Sequence, residues 1–362
     1  MPGPVPSPRV APAPTSLHEV GQRVDARILG VLDAEIERWA AVDQELAAPL
    51  GALRALIAAG GKRLRPAFCH WAFVGVGGDP GDPRVVDAGA ALELLHTFAL
   101  VHDDVMDGSD QRRGRPAVHR AFIDRHAGQG WQGDARRSGE GAAILVGDFA
   151  FVYADQILGE IPAPARAVFD ELRLELCVGQ YLDLVGTASS SRDPDQAIRI
   201  QRYKSGKYTV ERPLHLGAAL AGGGSAVHDA FTAVGLPLGE AFQMRDDLLG
   251  VFGDTAVTGK PVGDDLREGK LTPLLAAAVR RIDRADRVDR ALLDRVGAGD
   301  LDATTVVAIQ DLLVGCGAVG EIEERIAQRV DEALGALDRA PITAEAREAL
   351  ADLTRFAAWR DR

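Results

Sequence analysis

The sequence predicts an all-α protein, and three observations carry that reading. Apolar residues recur at helical spacing through long stretches rich in Ala, Leu, Glu and Arg. Convincing alternating strand patterns are absent, and the local start and stop signals are those of helices. Ser16-Leu17-His18-Glu19 has the form of a capping box, so a first long helix is expected from there to about Leu46. Further helices are expected over 83–107, 141–159, 164–186, 195–221, 226–252, 271–282, 303–315, 319–337 and 343–358. Asp82-Pro83 supplies a cap followed by proline at the first helical position, Pro237 can open another helix, and Gly222-Gly223-Gly224 has to end one. Residues 1–15 are rich in Pro and Ala without periodicity and are expected to form a disordered or extended tail. The stretch 124–141 is Gly-rich, charged and aperiodic, which predicts a mobile loop carrying Trp131. With no solenoid repeat in view, residues 16–362 are expected to form one large helical domain.

Composition narrows the function. Of 362 residues, 46% are apolar and 26% charged, a normal globular balance. No uninterrupted apolar run approaches the ~20 residues needed to span a bilayer, so no membrane span is expected. The net charge is −12, from 41 basic and 53 acidic residues, which disfavours nucleic acid as a partner. An anionic substrate must therefore be met by local cations or by a metal. Cys69, Cys177 and Cys316 are widely spaced in apolar surroundings, a pattern of reduced thiols that suits the cytoplasm. The N-terminal stretch lacks the apolar core of a secretory signal.

The chemistry centres on Leu100–Gly114. On a helix, Asp103 and Asp107 are one turn apart and project from one face, while Val101 and Val105 can pack on the other. Paired carboxylates repel unless a cation lies between them, and oxygen-only ligands on a rigid element suit Mg²⁺ bridging to substrate phosphates. An acidic helix end in solvent is the plain alternative. A second acid pair, Asp246-Asp247 within Phe242–Gly250, recurs in an equally apolar context, and a solvated face does not require that. Cationic groups accompany both pairs. Gly60-Gly61-Lys62-Arg63-Leu64-Arg65-Pro66 puts two glycines before a cationic helix start, where free N–H groups favour an anion. Arg112 and Arg113 follow Asp107 closely enough to grip the same polyphosphate. Lys204 lies in Tyr203–Tyr208. Lys260 and Lys270 lie on a Gly/Pro-bearing stretch of the kind that can close over a bound anion.

Taken in order, GGKRLRP, HTFALVHDDVMD with RRG, GQYLDL, YKSGKYT, FQMRDDLLGVFGD and TGKPVGDDLREGK resemble the trans-isoprenyl diphosphate synthases, or polyprenyl synthetases, from about Leu17 to the C-terminus. The resemblance implies an isoprenoid synthase helical bundle around a deep central cavity, usually as a homodimer. Asp103, Asp107 and Asp246 would bind about three Mg²⁺ ions holding the allylic diphosphate, with Asp104 and Asp247 in support. Arg112, Lys204, Lys260 and Gln243 would hold the same diphosphate, with Lys270 nearby. Lys62, Arg65, His96 and Arg113 would bind isopentenyl diphosphate, and Ser205 and Gln180 would lie near the carbocation. The activity implied is condensation of isopentenyl diphosphate with dimethylallyl, geranyl or farnesyl diphosphate into a linear all-trans chain.

Two positions bear on detail. Gly250 stands where the family often has a third Asp, so metal binding there would rest on Asp246 and water. Phe98 and Ala99 lie five and four residues before Asp103, about 6 to 7.5 Å deeper along the helix, where a growing chain would end. One aromatic at the earlier position resembles geranylgeranyl diphosphate synthases. A farnesyl or longer-chain synthase, a class I terpene cyclase and a non-catalytic subunit are the alternatives. The cyclase would not need Lys62, Arg65 and Arg113, and the subunit would commonly lose its aspartates. A metal phosphohydrolase would want histidine ligands, and His96, His102 and His119 lack metal-ligand spacing.

Overall fold

The computed structural model describes residues 11–189, 194–253, 263–270, 272–282, 287–297 and 301–360. Its helices are α1 (Thr15–Ala40), α2 (Ala47–Ala58), α3 (Leu64–Gly75), α4 (Pro83–Asp107), α5 (Val118–Gly128), α6 (Ala135–Leu158), α7 (Ala163–Ala188), α8 (Pro194–Gln201) and α9 (Arg212–Leu220). The C-terminal half adds α10 (Ser225–Phe252), α11 (Asp264–Glu268), α12 (Pro273–Arg281), α13 (Arg287–Leu293), α14 (Ala303–Gly315), α15 (Ala318–Asp338) and α16 (Ala344–Ala358). Among the described residues the only sheet is a hairpin of Gln111–Arg112 with Arg115–Pro116.

The all-α expectation holds, and α4 shows why the bundle forms. Residues 88–95 of α4 are consecutively buried, so this helix is apolar on every side and needs neighbours all round. It obtains them from α1, α3, α6 and α9. Leu92, Leu94 and Leu95 are fully buried, worth roughly 1.5–3 kcal/mol each. The cap at Asp82 forms, its side chain accepting from Arg84 N at 2.8 Å. Gly108 in the left-handed region ends the helix just past Asp107. By length and composition α4 and α6 could cross a bilayer, contrary to the expectation from apolar runs. Here they pack against each other within the bundle.

Several boundaries differ from expectation. No side chain caps α1, whose N-cap is Pro14, so the Ser16–Glu19 box is not used. The helix stops at Ala40, and a 3₁₀ turn at Gln44–Leu46 leads into a separate α2. The loop expected over 124–141 shrinks to residues 129–134, because α5 continues to Gly128 and Asp134 caps α6 through Arg136 N at 2.9 Å. Trp131 stacks edge-on against His126 at 5.9 Å, away from the cavity. Pro237 lies inside α10 and starts nothing. Cys177 is exposed, unlike Cys69. Residues 1–10 lie outside the described residues, and Ala11 N donates to Trp359 O at 3.0 Å.

The helix expected over 195–221 is interrupted by a ten-residue π-helix, Arg202–Glu211. Close backbone approach holds it between α7 and α10, since a Cβ at Gly179 would collide with the Lys204 backbone and one at Gly239 would come within 2.7 Å of Gly206 Cα. Glu175 of α7 grips its end, accepting from Lys207 Nζ and, at 2.6 and 2.7 Å, from Arg212. Arg212 Nη1 also donates to His215 Nδ1 at 3.3 Å, and the His228 ring stacks on His215 at 3.8 Å. Burial, the His228 ring and Arg212 push His215 down to about 3.

A stability prediction follows from that imidazole. Because the unfolded chain takes up the proton near pH 6.5 and the folded one only near 3, the contribution is full above 6.5 and is lost as pH falls. From pH 7 to 5 this site should cost about 2 kcal/mol. Urea unfolding of His215→Gln should show a pH slope shallower by that amount.

Candidate active site

The cationic end of the site is organised by Arg63. This residue is buried in the left-handed region at φ 52°, unusual for a side chain with a Cβ, and its guanidinium holds it there. It donates to Asp25 at 2.7 Å, to buried Glu93 at 2.8 Å and to Ile57 O at 2.9 Å. Lys62, Arg63 and Arg65 all line the cavity, with Arg63 held on buried Glu93. Arg65 donates to Thr209 Oγ1 at 2.8 Å and lies 4.2 Å over the Tyr208 ring, both from the π-helix.

The RRG turn is a two-residue hairpin loop. Arg113 (φ 53°) and Gly114 (φ 70°) both take positive φ, as a type I′ turn requires. It aims Arg112 at buried Asp104, with Nε to Oδ1 at 2.9 Å, and Arg113 at Leu56 O at 3.0 Å. His96 sits among these groups with no partner at Nδ1. Burial and the charges of Arg65, Arg113, Arg63 and Arg112 hold its pKa well below the ordinary histidine value. Burial also lowers Arg113, with Glu93 opposing and the neighbouring guanidinium groups adding to the shift. Positive charge is in excess here, which is the electrostatics of an anion site.

The acidic end begins with Asp103, which accepts from Gln180 Nε2 at 2.8 Å and Lys204 Nζ at 3.0 Å. Lys204 donates in turn to Asp183 at 2.5 Å. Burial pushes the Asp103 carboxyl up, but Lys204, Lys270 and Arg112 outweigh it and hold it at about 2. Asp107 is raised to about 6, first by burial and then by the Asp103 charge one turn away. On α10, Asp247 is buried and accepts from Gln201 at 2.8 Å and Gln243 at 2.9 Å. Burial raises it to about 8, with the charges of Asp265 and Asp246 adding. Asp246 faces the cavity, its side chain 39% exposed.

One cavity of about 1420 Å³ is lined from both ends. It joins Asp103, Asp246 and Asp247 to Lys62, Arg65, His96, Arg112 and Arg113, and to Lys204, Ser205, Gln243 and Lys270. Asp107 and Phe98, both expected at the site, are not among the residues that line it, and Asp104 lies behind the wall. Asp104 turns away to hold Arg112, a supporting role. Gln180 lines the cavity as expected and donates to Asp103 at 2.8 Å, which joins it to the acid cluster. Phe98 does not line the cavity: one residue turns the helix by 100°, which puts its ring against His102 at 4.6 Å and Phe151 at 5.0 Å while Ala99 faces inward. Lys260 lies outside the described residues.

Sequence reading missed four participants. Asp183 was legible as one turn beyond Gln180 in GQYLDL, and Tyr208 as one turn beyond Lys204. Leu176 of α7 lines the cavity with Ala99 and had no local signal. Asp265 accounts for Gly250: a Cβ there would collide with the Asp265 carboxylate, so a third acid does reach this corner, from a different segment. Lys270 pairs with Asp265 at 3.5 Å and Glu268 at 2.7 Å.

The donor type suits a hard divalent cation, although among the described residues no three ligating side chains lie together as a ready-made metal site. All the donors are carboxylate oxygens, and Asp107 is raised first by burial and then by the like charge of Asp103, the part that a cation would relieve.

The chain is similar to known proteins. The sequence model of the family described as polyprenyl synthetase matches residues 49–309. The chain is 34% identical over 312 residues to geranylfarnesyl diphosphate synthase of Aeropyrum pernix, covering 83% of this chain and 90% of that one. It is 36% identical over 287 residues to geranylgeranyl diphosphate synthase of Mycobacterium tuberculosis, covering 76% and 75%. It superposes with a TM-score of 0.89 and 36% identity on a geranylgeranyl pyrophosphate synthase from Corynebacterium glutamicum, complexed with isoprenyl diphosphate and magnesium, covering 95% and 99%. With the ordered motifs, the opposed acidic and cationic ends and these likenesses in agreement, the chain belongs to the polyprenyl synthetase family and has its all-α isoprenoid synthase fold.

Proposed function

We propose that this protein condenses isopentenyl diphosphate with an allylic diphosphate, dimethylallyl, geranyl or farnesyl, to give linear all-trans geranylgeranyl diphosphate. One observation carries the reading. A single cavity holds an excess of guanidinium groups at one end and lysine-braced carboxylates at the other, with Ala99 and Leu176 on its wall. Two anions of the same kind need two such grips, and an apolar chain needs the wall between them.

Asp103, Asp107 and Asp246 would hold about three Mg²⁺ ions, which when bound supply Lewis-acid stabilisation of the leaving diphosphate. Lys204, braced by Asp103 and Asp183, and Arg112, braced by Asp104, hold the allylic diphosphate. Lys260 and Gln243 join them. As the allylic C–O bond breaks, its electron pair goes to the diphosphate oxygen and positive charge remains on carbon. Lys62, Arg65, Arg113 and His96 hold isopentenyl diphosphate with its alkene toward that carbon. The alkene attacks, a C–C bond forms, and the new cation loses a proton to the departed diphosphate. No side-chain nucleophile is required, and the apolar wall keeps water from the cation.

A class I cyclase handles one diphosphate and has no use for the second cationic group. The working form is a homodimer in the cytoplasm. Leu145 and Val152 of α6 and Leu174, Val178 and Tyr181 of α7 are exposed large apolar residues on adjoining elements, a surface that favours a partner. All three cysteines are free.

The test is incubation with isopentenyl diphosphate, each allylic starter and Mg²⁺, followed by mass measurement of the chain. A C20 product is expected. A cyclised hydrocarbon, or no consumption of isopentenyl diphosphate, would remove the proposal.

A further inference from the structure

Arg360, near the C-terminus, has a side chain with no exposed surface. Its guanidinium lies 4.0 Å over the Phe242 ring. Nη1 donates to Ala357 O, while Nη2 donates to Phe242 O at 3.4 Å and to Asp246 Oδ1. Nε has no partner, so burial here is costly and asks for a reason. The neighbouring Arg245 fastens the same segment: its Nε donates to Ala358 O at 2.8 Å, and Glu323 braces its other nitrogens at 2.8 and 2.7 Å. Consecutive residues of α10 thus hold the end of the chain twice, at Ala358 and at Arg360.

We infer that Arg360 is a positioning residue for Asp246, pinning one carboxylate oxygen so that the other is presented to the cavity for a divalent cation. The inference rests on the acid-cluster reading given above. A carboxylate on a single χ1/χ2 pair can rotate, and an unpinned one must be ordered when the cation arrives. A planar guanidinium, stacked and bonded to two carbonyls, removes that freedom beforehand. The alternative for the same contact is competition, in which the arginine occupies the place of the metal and must leave. The two differ in sign. Full burial, the stacked ring and the carbonyl bonds favour an arginine that stays.

The experiment measures Mn²⁺ affinity by electron paramagnetic resonance, in the presence of inorganic pyrophosphate, for the full-length wild type and for Arg360→Gln. Glutamine keeps polarity but loses the charge and the fork, and Mn²⁺ affinity should fall about 10- to 100-fold. Arg360→Lys keeps the charge and cannot reach all three acceptors together, so its affinity should fall in between. Unchanged or tighter Mn²⁺ binding in folded Arg360→Gln overturns the inference, and tighter binding would assign competition instead. If Arg360→Gln does not fold, Arg360→Lys decides, and wild-type affinity there overturns it. Wild type that binds no Mn²⁺ with pyrophosphate would remove the acid-cluster reading itself, a result distinct from any difference among the variants.

Discussion

Asp103→Ala lowers turnover by about 10³-fold or more while the chain stays folded. Three things are lost together: the proposed metal ligand, one of the two carboxylates that brace Lys204, and the acceptor of Gln180. Lys204 keeps Asp183 at 2.5 Å, so no buried ammonium is stranded and the fold has little reason to open. Steady-state turnover with Mg²⁺, alongside thermal unfolding, measures both halves of the claim. A second readout follows the charge. Asp107 is held at about 6 first by burial and then by the Asp103 charge, so in the variant its titration should move down toward the usual carboxylate range. Turnover within a few-fold of wild type would take Asp103 out of the mechanism.

Ala99→Phe is expected to shift the main product from the proposed C20 toward shorter chains. Ala99 faces the cavity four residues, about 6 Å, below Asp103, and a ring there would cap the space beside Leu176. Chain elongation then stops on steric grounds while both diphosphate grips remain, so the first condensation should keep most of its rate. Phe98→Ala serves as the contrast. That ring packs against His102 and Phe151 outside the cavity, so its removal should destabilise the α4–α6 contact and leave the product distribution nearly unchanged. Mass analysis of the products from each variant decides. If Phe98→Ala lengthens the product and Ala99→Phe leaves it as it was, the end wall lies on the other side of α4.

The charged motifs were legible because their chemistry is local. Asp103 and Asp107 are one helical turn apart, and Arg112 and Arg113 follow within a hairpin, so chain geometry alone brings each set to one side. Boundaries were less legible where tertiary contact overrides local preference. The π-helix at 202–211 exists because glycines on α7 and α10 let those helices press on its backbone, and nothing in YKSGKYT announces it. The 124–141 stretch reads as a loop from its glycines, yet the Asp134 cap and packing of α5 on α6 make most of it helical.

What the sequence by itself determined is the helical class, the two acid pairs, the cationic runs and, through their order, the family. Helical periodicity and one-turn spacing depend only on neighbours along the chain. What the tertiary structure decided is which way each group faces: Arg63 onto buried Glu93, Phe98 outward and Ala99 inward, Asp265 into the corner left by Gly250, and Arg360 onto Asp246 from 114 residues away. These depend on packing between segments distant in sequence, where a single rotation of 100° per residue exchanges wall for interior and only the assembled neighbours select between them.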